Sequence, residues 1–219
     1  MMGGFVTIWA QRDAVLVGLL NTLGLVGFAA IFSLVLGVLV TPLLISKRKP
    51  IARLATLYVD AMRCVPFLLF VYLIYFGLPS VGLRLSSWWS GAIALVLYNA
   101  AYMAELLRGA WKELPEPMIE AARAFGFNGP TLWRRIVLPP MLMRALPMLG
   151  SQLIQIIKDS AFLTVIAVAE LTHAITSIQS TYFIPFAGFL TALLLYWGIC
   201  LVIEAAVALT NRLTEERRQ

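Results

Sequence analysis

Long uncharged stretches separated by short charged clusters make up most of the chain. The first stretch runs for 33 residues between Asp13 and Lys47, whereas a helix needs only about 20 apolar residues to cross the hydrocarbon core of a bilayer. The pattern recurs and predicts an all-α integral membrane protein with five transmembrane helices. The predicted spans cover about residues 14–45, 54–78, 88–107, 139–169 and 185–209. We expect one transmembrane domain over residues 1–219, because no internal repeat or low-complexity linker divides it.

Composition excludes several classes of protein. Apolar residues make up 61% of the chain and charged residues 13%, with a mean hydropathy of +0.87, which excludes a water-soluble domain. The one histidine, His173, and the two cysteines, Cys64 and Cys200, match no standard spacing of zinc ligands. We therefore expect no metal site and no disulfide scaffold.

The basic residues predict how the chain is oriented. Two of them, Arg12 and Arg84, lie on one side of the predicted spans and 13 on the other. Cytoplasmic loops of membrane proteins carry the excess of Lys and Arg, so we expect the N-terminus outside and the C-terminus in the cytoplasm. Clusters of this kind indicate topology and not nucleic-acid binding. The 13 residues are Lys47, Arg48, Lys49, Arg53, Arg108, Lys112, Arg123, Arg134, Arg135, Arg144, Arg212, Arg217 and Arg218.

The predicted cytoplasmic loop after the third span, about residues 110–137, has its own pattern. Pro117 suits the first turn of a helix, and Gly126 suits the left-handed residue that ends one. Asn128 is placed to cap a second helix, with Pro130 in its first turn. The loop also carries more apolar residues than a solvated linker needs, so we expect it to dock in a groove of a partner.

The same loop carries a spaced motif: Glu-Ala-Ala, three residues, Gly, nine residues, Ile, one residue, Leu-Pro. The matching positions are Glu120, Ala121, Ala122, Gly126, Ile136, Leu138 and Pro139. In this motif the chain resembles the permease subunits of bacterial ABC importers, and further stretches between about residues 14 and 210 resemble the polar amino acid branch of that family. The resemblance implies the type I ABC importer permease fold, with the loop acting as the coupling helix.

The resemblance also implies partners. These are a dimer of ABC ATPase subunits, a second permease subunit that is identical or a paralogue, and an extracytoplasmic amino acid binding protein, assembled in the lipid bilayer of the bacterial inner membrane. None of the lysines belongs to a phosphate-binding glycine loop. We therefore expect no cofactor and no enzymatic activity in this chain, with ATP and Mg bound by the partner ATPase.

Polar residues inside the predicted spans are candidates for a substrate path, because ionisable groups there are costly. An amino acid zwitterion needs a cation and hydrogen-bond acceptors, which these residues supply. The alternative is that they are span ends and interface residues. Asp60 with Arg63, and Glu105 with Arg108, have the spacing of ion pairs on one helix face. The candidate path residues are Asn99, Tyr102, Lys158, Asp159 and Glu170.

Two other functions compete with an importer subunit. A self-sufficient secondary transporter or channel would use the intramembrane charges, but the chain lacks an inverted repeat. A membrane enzyme would use Asp60, Glu105 or His173, but no nucleophile and base occur at a recognisable spacing.

Overall fold

The computed structural model describes the backbone of residues 2–216 and the side chains of residues 3–210, and within that part of the chain the secondary structure is helical throughout. Short π and 3₁₀ turns join some of the helices, at Leu73–Gly77, Leu78–Val81, Trp133–Val137 and Ala161–Ile166. The helices are α1 (Met2–Ala10), α2 (Arg12–Leu44), α3 (Lys49–Cys64), α4 (Phe67–Tyr72), α5 (Ser87–Lys112), α6 (Glu116–Ala124), α7 (Gly129–Leu132), α8 (Leu138–Ser160), α9 (Leu171–Tyr182) and α10 (Pro185–Glu216).

Three helices are long and apolar enough to cross a membrane unaided: α2, α5 and α10. Two further spans arise only if each of two bent pairs is counted as one. The first pair joins α3 to residues 67–81 with a bend of 108°, and the second joins residues 129–166 to α9 with a bend of 49°. The described residues therefore provide three to five spans. The first bend lies within the predicted second span, 54–78, and the second lies within the predicted fourth span, 139–169.

Each break has its own backbone conformation, and a proline accounts for the first. Val65 precedes Pro66 and is extended at φ −85° and ψ 134°, because a residue before proline is pushed out of the helical region. The second break follows the 3₁₀ turn Ala161–Ile166, where Ala167 has a left-handed φ of 56°. An alanine gives no warning of such a conformation in the sequence, so the position of this break could not be predicted.

The core of the fold is the contact between α2 and α5. A Cβ on Gly37 would lie 2.7 Å from the Met103 Cβ and 3.1 Å from the Ala104 nitrogen, so the two backbones meet where α2 has no side chain. The Ser33 hydroxyl donates to the Val96 carbonyl across the same contact, over 3.2 Å. Small residues that let helices approach closely are typical of packing inside membranes.

Helix α10 runs antiparallel to α8 and packs against both α8 and α9. Gly150 of α8 packs against Val207, whereas Tyr196, nearer the start of α10, hydrogen-bonds Glu170 beyond the end of α8. Helix α1 packs closely against the first turn of α10, since a Cβ on Gly4 would lie 2.8 Å from the Ala187 Cβ. Most of the described side chains of α10, at residues 185–210, are exposed or half-buried. Of the basic residues that predict orientation, the Arg212 side chain, Arg217 and Arg218 lie outside the described residues.

We predict that Gly37→Val destabilises the fold and that Gly24→Val does not. Both glycines lie in α2, but the added Cβ at Gly24 would meet no atom within 4 Å, so the pair differs in packing alone. Overpacking at Gly37 should lower the free energy of unfolding by about 1–3 kcal/mol. Thermal unfolding in detergent measures the difference, and equal stability of the two variants would contradict the close contact of α2 with α5.

Candidate functional site

A buried pair of amide side chains joins α5 to α8 in the middle of the bundle. The Gln152 Nε2 donates to the Asn99 Oδ1 over 2.7 Å, and the Asn99 Nδ2 donates to the Leu95 carbonyl over 3.0 Å. Both side chains are buried. Polar groups buried among apolar helices need such partners, because an unpaired one costs about 1–3 kcal/mol.

Asp159 lies two turns further along α8 and is 3% exposed. Its Oδ1 accepts a hydrogen bond from the Gln155 Nε2 over 2.9 Å, but its Oδ2 has no partner among the described residues. A buried carboxylate oxygen without a donor is unfavourable unless something else supplies one. The Asp159 Oδ2 can therefore accept a further hydrogen bond or contact a positive charge.

A cavity of about 450 Å³ lies beside this cluster, between α5 and α8. Gln152 and Gln155 line one side, and Tyr98 and Tyr102 line the other. The two tyrosine hydroxyls are 3.3 Å apart, and that of Tyr98 also donates to the Val65 carbonyl at the break after α3, over 3.2 Å. The volume of the cavity and the few polar groups that converge on it are typical of a small-molecule site.

The structure brings together three of the five predicted path residues: Asn99, Tyr102 and Asp159. Lys158 is exposed on another face of α8 and lines a different groove, beside α10. That separation follows from the roughly 100° between neighbouring residues of a helix. Glu170 also lies elsewhere.

Glu170 is fully buried and caps the start of α9. Its carboxylate accepts hydrogen bonds from the backbone N–H of Thr172 at 2.7 Å and of His173 at 2.6 Å, and from the Tyr196 hydroxyl at 2.8 Å. These contacts hold α9 and α10 together. The geometry gives Glu170 a structural task, and its predicted place in the substrate path stays a prediction.

Sequence reasoning missed Gln152 and Gln155. A usable signal was present, since Gln152, Gln155 and Asp159 follow at i, i+3 and i+7 and so share one face of α8.

The ion pairs near the predicted cytoplasmic ends are partly as predicted. Arg108 donates to Glu105 through Nε at 2.8 Å and Nη2 at 2.5 Å, which confirms that pair. The predicted pair of Asp60 with Arg63 is wrong. The Arg63 Nη1 lies 3.7 Å from the Glu105 Oε1 instead, because α3 crosses α5 at this level.

The loop between α5 and α8 forms a helix with a defined C-terminal cap. After α6, the N–H of Gly126 donates to the Arg123 carbonyl at 2.9 Å and the N–H of Phe127 to the Ala122 carbonyl at 3.0 Å. Gly126 has φ +87°. This is the Schellman arrangement, which glycine favours at that position. Asn128 stands at the N-cap of α7 as predicted, but its side chain makes no capping hydrogen bond.

The spaced motif divides into an exposed part and a packed part. Glu120 and Ala121 are exposed, and Phe125, at the end of α6, is 85% exposed. Ala122 is buried and Ile136 is half-buried against the chain. Behind them, Leu114, Val137 and Met141 form a cluster with half-buried Met118, Leu132, Trp133 and Leu138. The loop is thus fixed to the bundle from behind and presents α6 outward.

The profile of the family described as binding-protein-dependent transport system inner membrane component matches residues 16–215. This chain belongs to that family. The permease is 33% identical over 175 residues to the probable glutamine ABC transporter permease protein GlnM of Bacillus subtilis, covering 80% of this chain and 81% of the relative. It is also 33% identical over 201 residues to the nopaline transport system permease protein NocM of Agrobacterium fabrum, covering 87% and 83%.

Solved structures agree with the fold. The permease superposes with a TM-score of 0.86 and 28% identity on a crystal structure of an amino acid ABC transporter with histidines, covering 95% of this chain and 97% of that one. A methionine ABC transporter in inward-facing conformations gives a TM-score of 0.77 at 22% identity, over 94% and 98%. The second likeness concerns the fold alone.

We predict that Glu170→Ala destabilises the permease, because it leaves two backbone N–H groups and the Tyr196 hydroxyl without their acceptor. Loss of a helix N-cap costs about 0.5–2 kcal/mol, and the buried hydroxyl adds to that. The measurement is the thermal midpoint in detergent, with exposed Glu113→Ala as control. An unchanged midpoint in both variants would remove the capping role and return Glu170 to the candidate path.

Proposed function

We propose that this permease is the transmembrane subunit of an ATP-driven importer for polar amino acids. It forms half of a translocation path in the bacterial inner membrane, with five spans, its N-terminus outside and its C-terminus in the cytoplasm. Membership of the family supports this proposal. So do the relatives named for glutamine and nopaline transport, and the basic residues gathered on one side of the spans.

The observation that carries the proposal is the exposed, rigidly capped helix α6. Phe125, at the end of α6, is apolar and yet 85% exposed, as expected of a residue that packs against another protein. Exposed Glu120 offers a negative charge for an Arg or Lys of that protein. We assign α6 as the coupling helix that docks on an ABC ATPase subunit. ATP and Mg bind to that subunit, and an extracytoplasmic binding protein delivers the substrate.

The motif residues have two tasks in this proposal. Glu120 and Ala121 contact the ATPase, whereas Ala122, Ile136, Leu138 and Pro139 carry its movement into α8. Gly126 sets the turn between the two parts. A Cβ at Gly126 would meet no atom within 4 Å, so the need for glycine comes from its left-handed backbone, which costs other residues about 1–2 kcal/mol.

The polar cluster beside the cavity is the proposed substrate path. Asp159 has one free carboxylate oxygen for an ammonium or guanidinium group. The amides of Asn99 and Gln152, with the Tyr102 hydroxyl, offer both donors and acceptors to a polar side chain. Two such permeases, identical or paralogous, face each other to close the path.

We predict that Glu120→Lys and Gly126→Val uncouple the importer, each lowering ATP-driven uptake at least about tenfold through loss of one to several kcal/mol at the docking site. Gly126→Asn should retain uptake, because asparagine tolerates the left-handed region. The assay is substrate uptake by proteoliposomes that contain the permease, its ATPase and its binding protein.

Exposed Glu113→Lys, just outside α6, is the control for charge reversal. Wild-type uptake by Glu120→Lys and Gly126→Val would refute the coupling role. Uptake by the permease alone under an ion gradient would replace the importer with a secondary transporter.

We also predict that Asp159→Asn raises the substrate KM of the assembled importer, because it removes a negative charge from the path but keeps the size of the side chain. A tenfold change corresponds to about 1.4 kcal/mol. Asp60→Asn, an exposed aspartate on α3, should leave the KM unchanged. The same KM in both variants would exclude Asp159 from substrate binding.

A further inference from the structure

A cluster of basic side chains occupies the turn between α2 and α3 and the first two turns of α3. It places four cations within seven residues, and the sequence has no acidic residue between Asp13 and Asp60. All four side chains are exposed. This basic cluster therefore forms a surface patch of one sign. Its residues are Lys47, Arg48, Lys49 and Arg53.

The described part of the chain does not neutralise the basic cluster. Its ion pairs all involve Glu105 of α5. The Arg48 backbone N–H donates to the Ser46 hydroxyl over 3.2 Å, whereas the four basic side chains have no partner among the described residues. Lys49 and Arg53 are four residues apart on one face of α3, where two like charges repel each other. An anion bound between them would remove that repulsion.

A groove of about 430 Å³ lies along the same face of α3. Lys49 and Arg53 line one end, Thr56 and Leu57 follow, and Asp60 lines the other end. Asp60 is seven residues beyond Arg53, which is about 10 Å along a helix. The groove thus has a strongly positive end that the aspartate does not reach.

The positive end of the groove lies at the boundary of the membrane. Val59 of α3 and Val40 of α2 belong to one buried cluster and so mark a common depth. Arg53 is six residues from Val59 toward the turn, about 9 Å along the helix. Ser46, the last uncharged residue after α2, is likewise six residues from Val40. Arg53 is therefore level with the end of the apolar stretch, where the phosphates of lipids begin.

Apolar side chains adjoin the basic cluster on the membrane side. Leu54 is 70% exposed and Leu57 is 67% exposed, both deeper than Arg53. The opposite face of α3 packs on the bundle, where Val59 is buried and the Tyr58 hydroxyl donates to the Leu97 carbonyl over 2.6 Å. The face that carries the cations and the two leucines therefore points away from the bundle.

We propose that this face binds one anionic phospholipid, with its phosphate between Lys49 and Arg53 and an acyl chain along Leu57. Clusters of basic residues next to a membrane span attract anionic lipids. A free phosphate would leave the leucines uncovered, and a lipid without net charge would leave the cations unbalanced. The inference goes beyond the proposed transport function and does not depend on the substrate.

The test measures lipid binding to the full-length permease, purified in a neutral detergent and freed of its native lipid. Native mass spectrometry gives the affinity for phosphatidylglycerol and for phosphatidylcholine with the same acyl chains. The wild type should bind phosphatidylglycerol at least about tenfold more tightly. The variant K49Q/R53Q should lose about thirtyfold of that affinity, because each cation contributes about fivefold. Equal affinity of the wild type for both lipids would overturn the proposal.

A matched control separates a defined site from general attraction between net charges. The variant K112Q/R123Q also removes two cations from exposed side chains, and it should bind phosphatidylglycerol as the wild type does. Equal losses in the two double variants would refute a site on α3. The thermal midpoint of each variant in detergent shows that the fold is retained, as expected for exposed positions.

Two further measurements distinguish a lipid from other occupants of the same face. Glycerol phosphate, which carries the phosphate without acyl chains, should not displace phosphatidylglycerol, and Leu57→Gln should weaken lipid binding. Displacement by glycerol phosphate would replace the lipid with a soluble phosphate compound. If a protein subunit covered this face, K49Q/R53Q would release that subunit from the assembled complex and leave lipid binding unchanged, which would also overturn the proposal.

Discussion

Backbone groups inside a hydrocarbon layer need hydrogen-bond partners, and this constraint governs both places where the bent helices break. At the first break, the Tyr98 hydroxyl donates a hydrogen bond to the Val65 carbonyl. At the second, the Asn21 amide donates to the Ala169 carbonyl over 2.8 Å, and the Leu171 N–H donates to the Thr22 hydroxyl over 2.9 Å. These partners come from α2 and α5. The close packing of those two helices therefore supports the irregular backbone of the others.

The breaks and the proposed substrate path form one feature of the fold. Tyr98 fastens the first break and also lines the cavity beside Gln152. Asp159 stands one residue before the end of α8, where the 3₁₀ turn of the second break begins. Interrupted helices release polar groups at a depth where an apolar bundle otherwise has none, and transporters commonly place substrates at such points. On the other side of the second break, Glu170 caps the start of α9. This role accounts for a buried carboxylate that does not face the cavity.

Local features were predictable from the sequence, and features that depend on distant contacts were not. The first predicted span, 14–45, agrees with α2 at Arg12–Leu44, because the length of an uncharged stretch is read directly from the chain. The left-handed conformation of Gly126 was also predictable, because a glycine just past a helical stretch is a local signal. That Arg63 pairs with Glu105 and not with Asp60 could not be predicted, because it depends on where α3 crosses α5. The capping role of Glu170 was also hidden, since glutamate is not among the favoured N-cap residues.

Helix α8 connects the loop to the polar cluster without a flexible segment between them. It begins at Leu138, inside the motif, and ends at Ser160, just past Asp159, a length of about 34 Å. Arg144 ties it to the end of α5 by donating to the Glu113 carbonyl over 2.7 Å. Pro147 lies inside α8 and removes one helical hydrogen bond, which makes its level the place where the helix bends most easily. A bend there would move Gln152 relative to Asn99, so in the proposed importer a displacement of α6 would act on the hydrogen bond between these two amides, beside the cavity.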